Sequence, residues 1–195
     1  MDYSPLRVRI SAPIEPILPG RGFYQLEEDT LYVQVGPFTR KRRFYSYIEA
    51  PSVRFDLDSL GRLIFIEIMV PRARWPKAED TRPPSVVEAA DIRWLGFRES
   101  TRDPVITCAP DGSTVRLRFG DNPQLRNYYL AESVIAQVDN DDCVAAVWIT
   151  DIVDDLAGRK IAAFRKSLRQ PPNVTAVSPA SKIVPGIRRH LADGR

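Results

Sequence analysis

The sequence predicts a mainly β, β-rich α+β protein: two tandem antiparallel β-meander units followed by a C-terminal helix. Three observations carry this prediction. Segment 52–68, SVRFDLDSLGRLIFIEI, is echoed 81 residues later by SVIAQVDNDDCVAAVWI at 133–149. The two match in type, without gaps, at Ser52/Ser133, Val53/Val134, Leu57/Val138, Asp58/Asp139, Leu63/Val144, Ile66/Val147 and Ile68/Ile149. Upstream, TLYVQVG (30–36) matches TVRLRFG (114–120) at a spacing of 84, and VRI (8–10) sits 84 residues before IRW (92–94). Within both segments apolar residues alternate with polar ones, the period of a half-buried strand rather than of a helix. A unit of about 80 residues, stated twice, is the reading that unites these facts.

Each element follows from local chemistry. Val53, Phe55 and Leu57 alternate with Arg54, Asp56 and Asp58, which makes 53–58 a strand with one wet face. DSLG (58–61) supplies Asp at the first and Gly at the fourth position of a type I turn. RLIFIEIMV is β-branched and apolar on both faces and reads as a more central strand. The second copy repeats the design with the turn DNDD (139–142), where Asp142 takes the place of Gly61. PRARWPKAEDTRPPS (71–85), with four prolines and dense charge, reads as a linker or surface crossing. SVVE (85–88) offers a capping box for a short helix into Ala89–Trp94, in competition with the strand that the IRW match suggests. GRKIAAFRKSLR (158–169) sets Ile161, Phe164 and Leu168 at helical spacing, and QPP stops it. The boundaries that result are unit one at 1–70, a Pro- and charge-rich linker at 71–90, unit two at 91–157, the helix at 158–170 and a tail at 171–195.

EEDTLYVQV (27–35), followed after a loop by VRFDLDSLGRLIFIEIM (53–69), resembles a family of short bacterial domains of unknown function. The shared pattern is D-x-L-Y-[IV], a loop, then [IV]-x-x-D-x-D-x-x-G-x-[LI]-x-x-[IF]-E-[IL]. Asp29, Leu31, Tyr32, Asp58, Gly61, Leu63, Ile66, Glu67 and Ile68 occupy its positions. The resemblance implies a small β-meander fold and no activity. The second copy is a diverged version, with Arg116 for Tyr32, Asp142 for Gly61 and Trp148 for Glu67.

Composition narrows the function. The chain has 195 residues, 44% hydrophobic and 27% charged, with a formal net charge of +3. A core can form, and the mild basicity permits an anionic partner without demanding one. The N-terminal stretch, with prolines at 13, 16 and 19, does not read as a signal peptide, and no apolar run is long enough to span a bilayer. Cys108 and Cys143 read as reduced, buried small hydrophobes, and the expected location is cytoplasmic. DLDSLGRLIFIE, counted from Asp56, mimics a calcium-binding EF-hand loop, but Leu60 and Ile64 stand where oxygen donors belong and the flanks are strands. With one histidine, His190, and no paired-cysteine motif, neither zinc nor any other cofactor is expected. TDIVDD (150–155) reads as a helix N-terminal cap. No nucleophile elbow, P-loop or dinucleotide fingerprint occurs, so an enzyme ranks third among the functions.

The first-ranked function is a non-catalytic binding or protein-interaction module. The alternative is nucleic-acid binding through GPFTRKRRFYSY (36–47), where cations sit among rings suited to stacking on bases. The candidate residues are Arg40, Lys41, Arg42, Arg43, Phe44, Tyr45 and Tyr47, with Arg126 in the shorter counterpart loop. The competing structural reading is a charged hairpin tip whose rings pack onto the sheet. Expected partners are an unidentified protein or anionic partner, single-stranded nucleic acid, or a second copy of the chain, and no membrane. The first copy, which keeps the longer basic loop, is expected to carry the functional surface.

Overall fold

Strand-forming sequence runs through almost the whole chain, and the structure, a computed structural model, describes residues 3–37, 39, 42–156 and 158–169. The first half contributes β1 (Val8–Ser11), β2 (Gly20–Gln25), β3 (Thr30–Val35), β4 (Ser46–Glu49), β5 (Val53–Leu57) and β6 (Leu63–Ile68), then a 3-10 turn at Arg72–Arg74. The second contributes β7 (Glu88–Ala89), β8 (Asp91–Trp94), β9 (Glu99–Ser100), β10 (Val105–Cys108), β11 (Val115–Arg118), β12 (Arg126–Ala131), β13 (Val134–Val138), β14 (Val144–Ile149) and β15 (Val153–Asp154). One helix follows, α1 (Arg159–Arg169).

These strands form a seven-stranded sheet in the order β15-β2-β3-β6-β5-β4-β9, a six-stranded sheet in the order β10-β11-β14-β13-β12-β7, and the separate pair β1-β8. In each large sheet a three-strand meander (β4-β5-β6 or β12-β13-β14) receives a hairpin (β2-β3 or β10-β11) against its last strand. The registers coincide at the offsets that the sequence displays. Tyr24 pairs with Leu31 as Cys108 pairs with Val115, and Ile68 pairs with Leu31 and Val53 as Ile149 pairs with Val115 and Val134. Even the irregularity before Leu57 on β5 recurs before Val138 on β13.

Both hairpins close through an aspartate turn. Asp58 accepts from the backbone N–H groups of Leu60 and Arg62, and Asp139 from those of Asp141 and Cys143. Gly61 (φ 76°) and Asp142 (φ 54°) both take the left-handed conformation that ends the turn. A Cβ at Gly61 would also lie 2.5 Å from the Trp94 carbonyl oxygen, so glycine is required there for two independent reasons.

The short strands link the halves. β1 and β8 pair antiparallel with Arg9 opposite Arg93, Val8 opposite Trp94 and Ile10 opposite Ile92. The facing residues Arg9 and Arg93 are 84 positions apart. Stretch 76–78 leaves the first half to run parallel to β10, with Cys108 donating to Pro76 O and Ala78 donating to Cys108 O. In return β15 runs parallel to β2, with Asp155 donating to Tyr24 O. SVVE opens no helix: Glu88–Ala89 pairs with β12 and Asp91–Trp94 with β1, because two waiting strand edges supply the backbone partners that an isolated helical turn lacks.

The inner faces of both sheets meet in one core that includes Leu31, Val33, Phe55 and Ile66 from the first and Val115, Leu117, Val147 and Ile149 from the second. Phe55 stacks on Trp94 (5.0 Å, 28°) and meets Phe119 (5.9 Å), so a fully buried ring of one half rests on rings of the other. Within the stretch read as a linker, Trp75 is buried, donates to Val70 O and sets its ring edge against Tyr24. Outside the first sheet, Ile161 of α1 packs on Phe23, Tyr32, Ile64 and Phe65. Asp155 caps this helix by accepting from the N–H of Ile161, the role its position before the helix suggests. The side chains of Phe164 and Leu168, the tail at 171–195 and His190 lie outside the described residues. Cys108 is buried and Cys143 half-buried, both as free thiols. No helix among the described residues is long and apolar enough to cross a membrane.

Candidate binding surface

β4 is near one edge of the seven-stranded sheet, followed only by the two-residue β9. Tyr47 and Glu49 alternate outward along it, facing Asp56 and Arg54 across the β4-β5 register. Arg54 organises this outer face. Its guanidinium lies 4.4 Å from the centre of the Tyr47 ring and 5.7 Å from that of Phe44, and its Nε donates to Asp56 at 2.8 Å. Burial pushes the Asp56 carboxyl above its ordinary range, a shift that the Arg54 bond and charge oppose.

β9 brings residues of the second half to the same edge. The N–H of Arg98 donates to Ser46 Oγ, and Phe97 meets Tyr45 at 5.7 Å between ring centres. Arg98, held at φ 52°, places its guanidinium 5.3 Å from the Phe97 ring. The result is a patch in which Phe44, Tyr45 and Phe97 stay 47%, 53% and 52% exposed, with Arg43 and Arg98 also in solvent. Neither of these arginines has an ion-pair partner among the described residues.

The candidate residues are therefore divided. Arg43, Phe44, Tyr45 and Tyr47 lie together, while Arg40 and Lys41 lie outside the described residues. Arg42 turns inward: only 5% exposed, it donates from Nη2 to the carbonyls of Val35 and Leu63. Arg126 belongs to the other sheet, where its guanidinium is tied to Asp142 and to the Asp139 carbonyl. The EF-hand mimic dissolves into pairs, Asp56 with Arg54 and the buried Asp58 with Arg62. Phe97 and Arg98 were not among the candidates. Their one signal was LGFRES itself, an aromatic and a cation following a glycine, outside every repeat match.

Comparison with models of protein families and with curated proteins gave no match. The ring-and-guanidinium patch defines a surface suited to contact, with rings offering apolar area and cations offering long-range attraction.

Proposed function

We propose that this protein is a non-catalytic binding module that takes an acidic partner on the patch around Tyr45 and Phe97. The single observation behind the proposal is that Tyr45 and Phe97, each about half exposed, meet at the β4–β9 edge beside Arg98, which has no ion-pair partner among the described residues, with the exposed Arg43 and Phe44 next to Tyr45 in the chain. Exposed rings in contact offer apolar area for a partner to cover, and aromatic side chains and arginine dominate the energetics of interfaces. The reading places the module in the cytoplasm, a location that its two free cysteines support. Single-stranded nucleic acid is the second reading, favoured by the exposed ring of Tyr45 and the exposed Arg43 two residues before it. The cation–π contacts of Arg54 weigh against it, because they already occupy Phe44 and Tyr47.

We also read the two large sheets as diverged copies of one unit. Matching strand order, register and turn support this, as does the family pattern in the first copy. Leu31, Leu63, Ile66 and Ile68 of that pattern are buried, and Asp29 and Gly61 have positive φ, so it is a pattern of core and turn residues.

Titration of a fluorescent glutamate-rich peptide carrying one tryptophan, and of labelled oligo(dT), over a salt series tests the assignment. The peptide should bind the natural protein and fail to bind Arg43→Glu/Phe97→Ala, whose melting temperature should be unchanged. Tight oligo(dT) binding with a steep salt dependence, lost in the same variant, would transfer the surface to nucleic acid. Failure of both ligands to bind at micromolar protein and low salt would remove the patch as a binding surface.

A further inference from the structure

A second feature lies under residues 13–18, beside Arg42, Arg62 and Ile92. That strap carries no regular strand and is mostly exposed. It covers a small cleft of about 60 Å³, open to solvent at its mouth, whose walls include Ile17, Ile92 and Leu130. Arg42 and Arg62 reach the cleft from below, with side chains only 7% and 10% exposed. Arg62 is anchored, since its Nε donates to Asp58 at 2.7 Å and its Nη1 to Glu15 at 3.0 Å. Arg42 is less complete. Its Nε is buried with no partner, and its Nη1 lies 3.8 Å from the Glu15 carboxylate, beyond hydrogen-bond reach. A buried guanidinium with unfilled donors is costly, so a donor in this state is poised for an oxyanion.

We infer that this cleft binds a small organic carboxylate with an apolar body, its carboxylate bridging Arg42 and Arg62. Glu15 shows which group the two arginines accept: its carboxylate already lies between them, on an aliphatic stem, yet its side chain remains 43% exposed and it fits only Arg62 well. A free carboxylate is not bound by the strap's geometry. It can supply oxygens to the unfilled donors of Arg42 as well, while its body lies along Ile17, Ile92 and Leu130. The planar fork of each guanidinium suits a carboxylate, and the apolar walls disfavour a fully hydrated ion such as free phosphate. Glu15 thus acts as a tethered competitor that lowers the apparent affinity for the free ligand. The site is separate from the ring patch, and neither reading depends on the other.

Calorimetric titration with hexanoate tests the inference, with hexan-1-ol as the uncharged control. Glu15→Gln removes the competing charge but keeps a side-chain oxygen for Arg62, so the variant should still unfold in one cooperative transition, at a somewhat lower melting temperature. Hexanoate should bind Glu15→Gln about tenfold or more tightly than it binds the natural protein, with the backbone amides of Leu63 and Ile92 shifting during the titration. Hexan-1-ol should not distinguish the two proteins. Equal affinities for hexanoate, no binding to either protein, or amide shifts confined to other surfaces would each overturn the inference.

Discussion

Replacing Phe55 by alanine is expected to lower stability by about 3–5 kcal/mol, the range for losing a fully buried aromatic ring. Phe55 is 0% exposed and stands between Trp94 and Phe119. Strands β5 and β8 are fixed by different pairings, so the walls of the resulting cavity cannot collapse freely. Urea denaturation followed by tryptophan fluorescence and by circular dichroism should show one earlier transition with both probes and an unchanged dependence on denaturant. A loss below about 1 kcal/mol would mean that the ring is replaceable and that the halves do not share a core around it.

Asp58→Ala is expected to cost about 3–5 kcal/mol as well, for an electrostatic reason. The carboxylate is 1% exposed and accepts from the Leu60 and Arg62 N–H groups at 2.9 Å and from Arg62 Nε at 2.7 Å. Its removal strands two turn donors and leaves the Arg62 guanidinium, itself nearly buried, with Glu15 alone. Asp139 forms the same turn in the second sheet, but Cys143 stands where Arg62 does in the first. With two neutral donors and no cation involved, Asp139→Ala should cost about 1–2 kcal/mol. Thermal melts of the two variants side by side make the comparison. Equal costs would show that the Arg62 pair contributes nothing.

The β-rich class and both hairpins were legible because their physics is local. Alternation assigns Val53, Phe55 and Leu57 to one face, and aspartate at the turn fixes where each hairpin reverses. The offsets of 84 and 81 residues are present in the strand registers for the same reason, since equivalent strands need equivalent turns. The exchanges between halves were not legible. β7, β9 and β15 have two residues each, too few for any period, and their pairing is decided by distant edges. Arg42 misled for a related reason. In a run of four cations it looks solvated, yet the carbonyls of Val35 and Leu63, 7 and 21 residues away, draw it inside. Of the proposed binding patch, Arg43 to Tyr47 could be read from composition. Phe97 and Arg98 could not, because only the pairing of β9 with β4 brings them there.

That pairing makes the surface depend on the interlock of the two halves, which native-state hydrogen exchange measures directly. Amides of Val33 and Ile66 in the seven-stranded sheet and of Leu117 and Val147 in the six-stranded sheet should exchange through one global opening, with a common free energy matching that from denaturation. A lower opening free energy for one sheet, by more than about 1 kcal/mol, would contradict the account and make the halves independent units that merely touch.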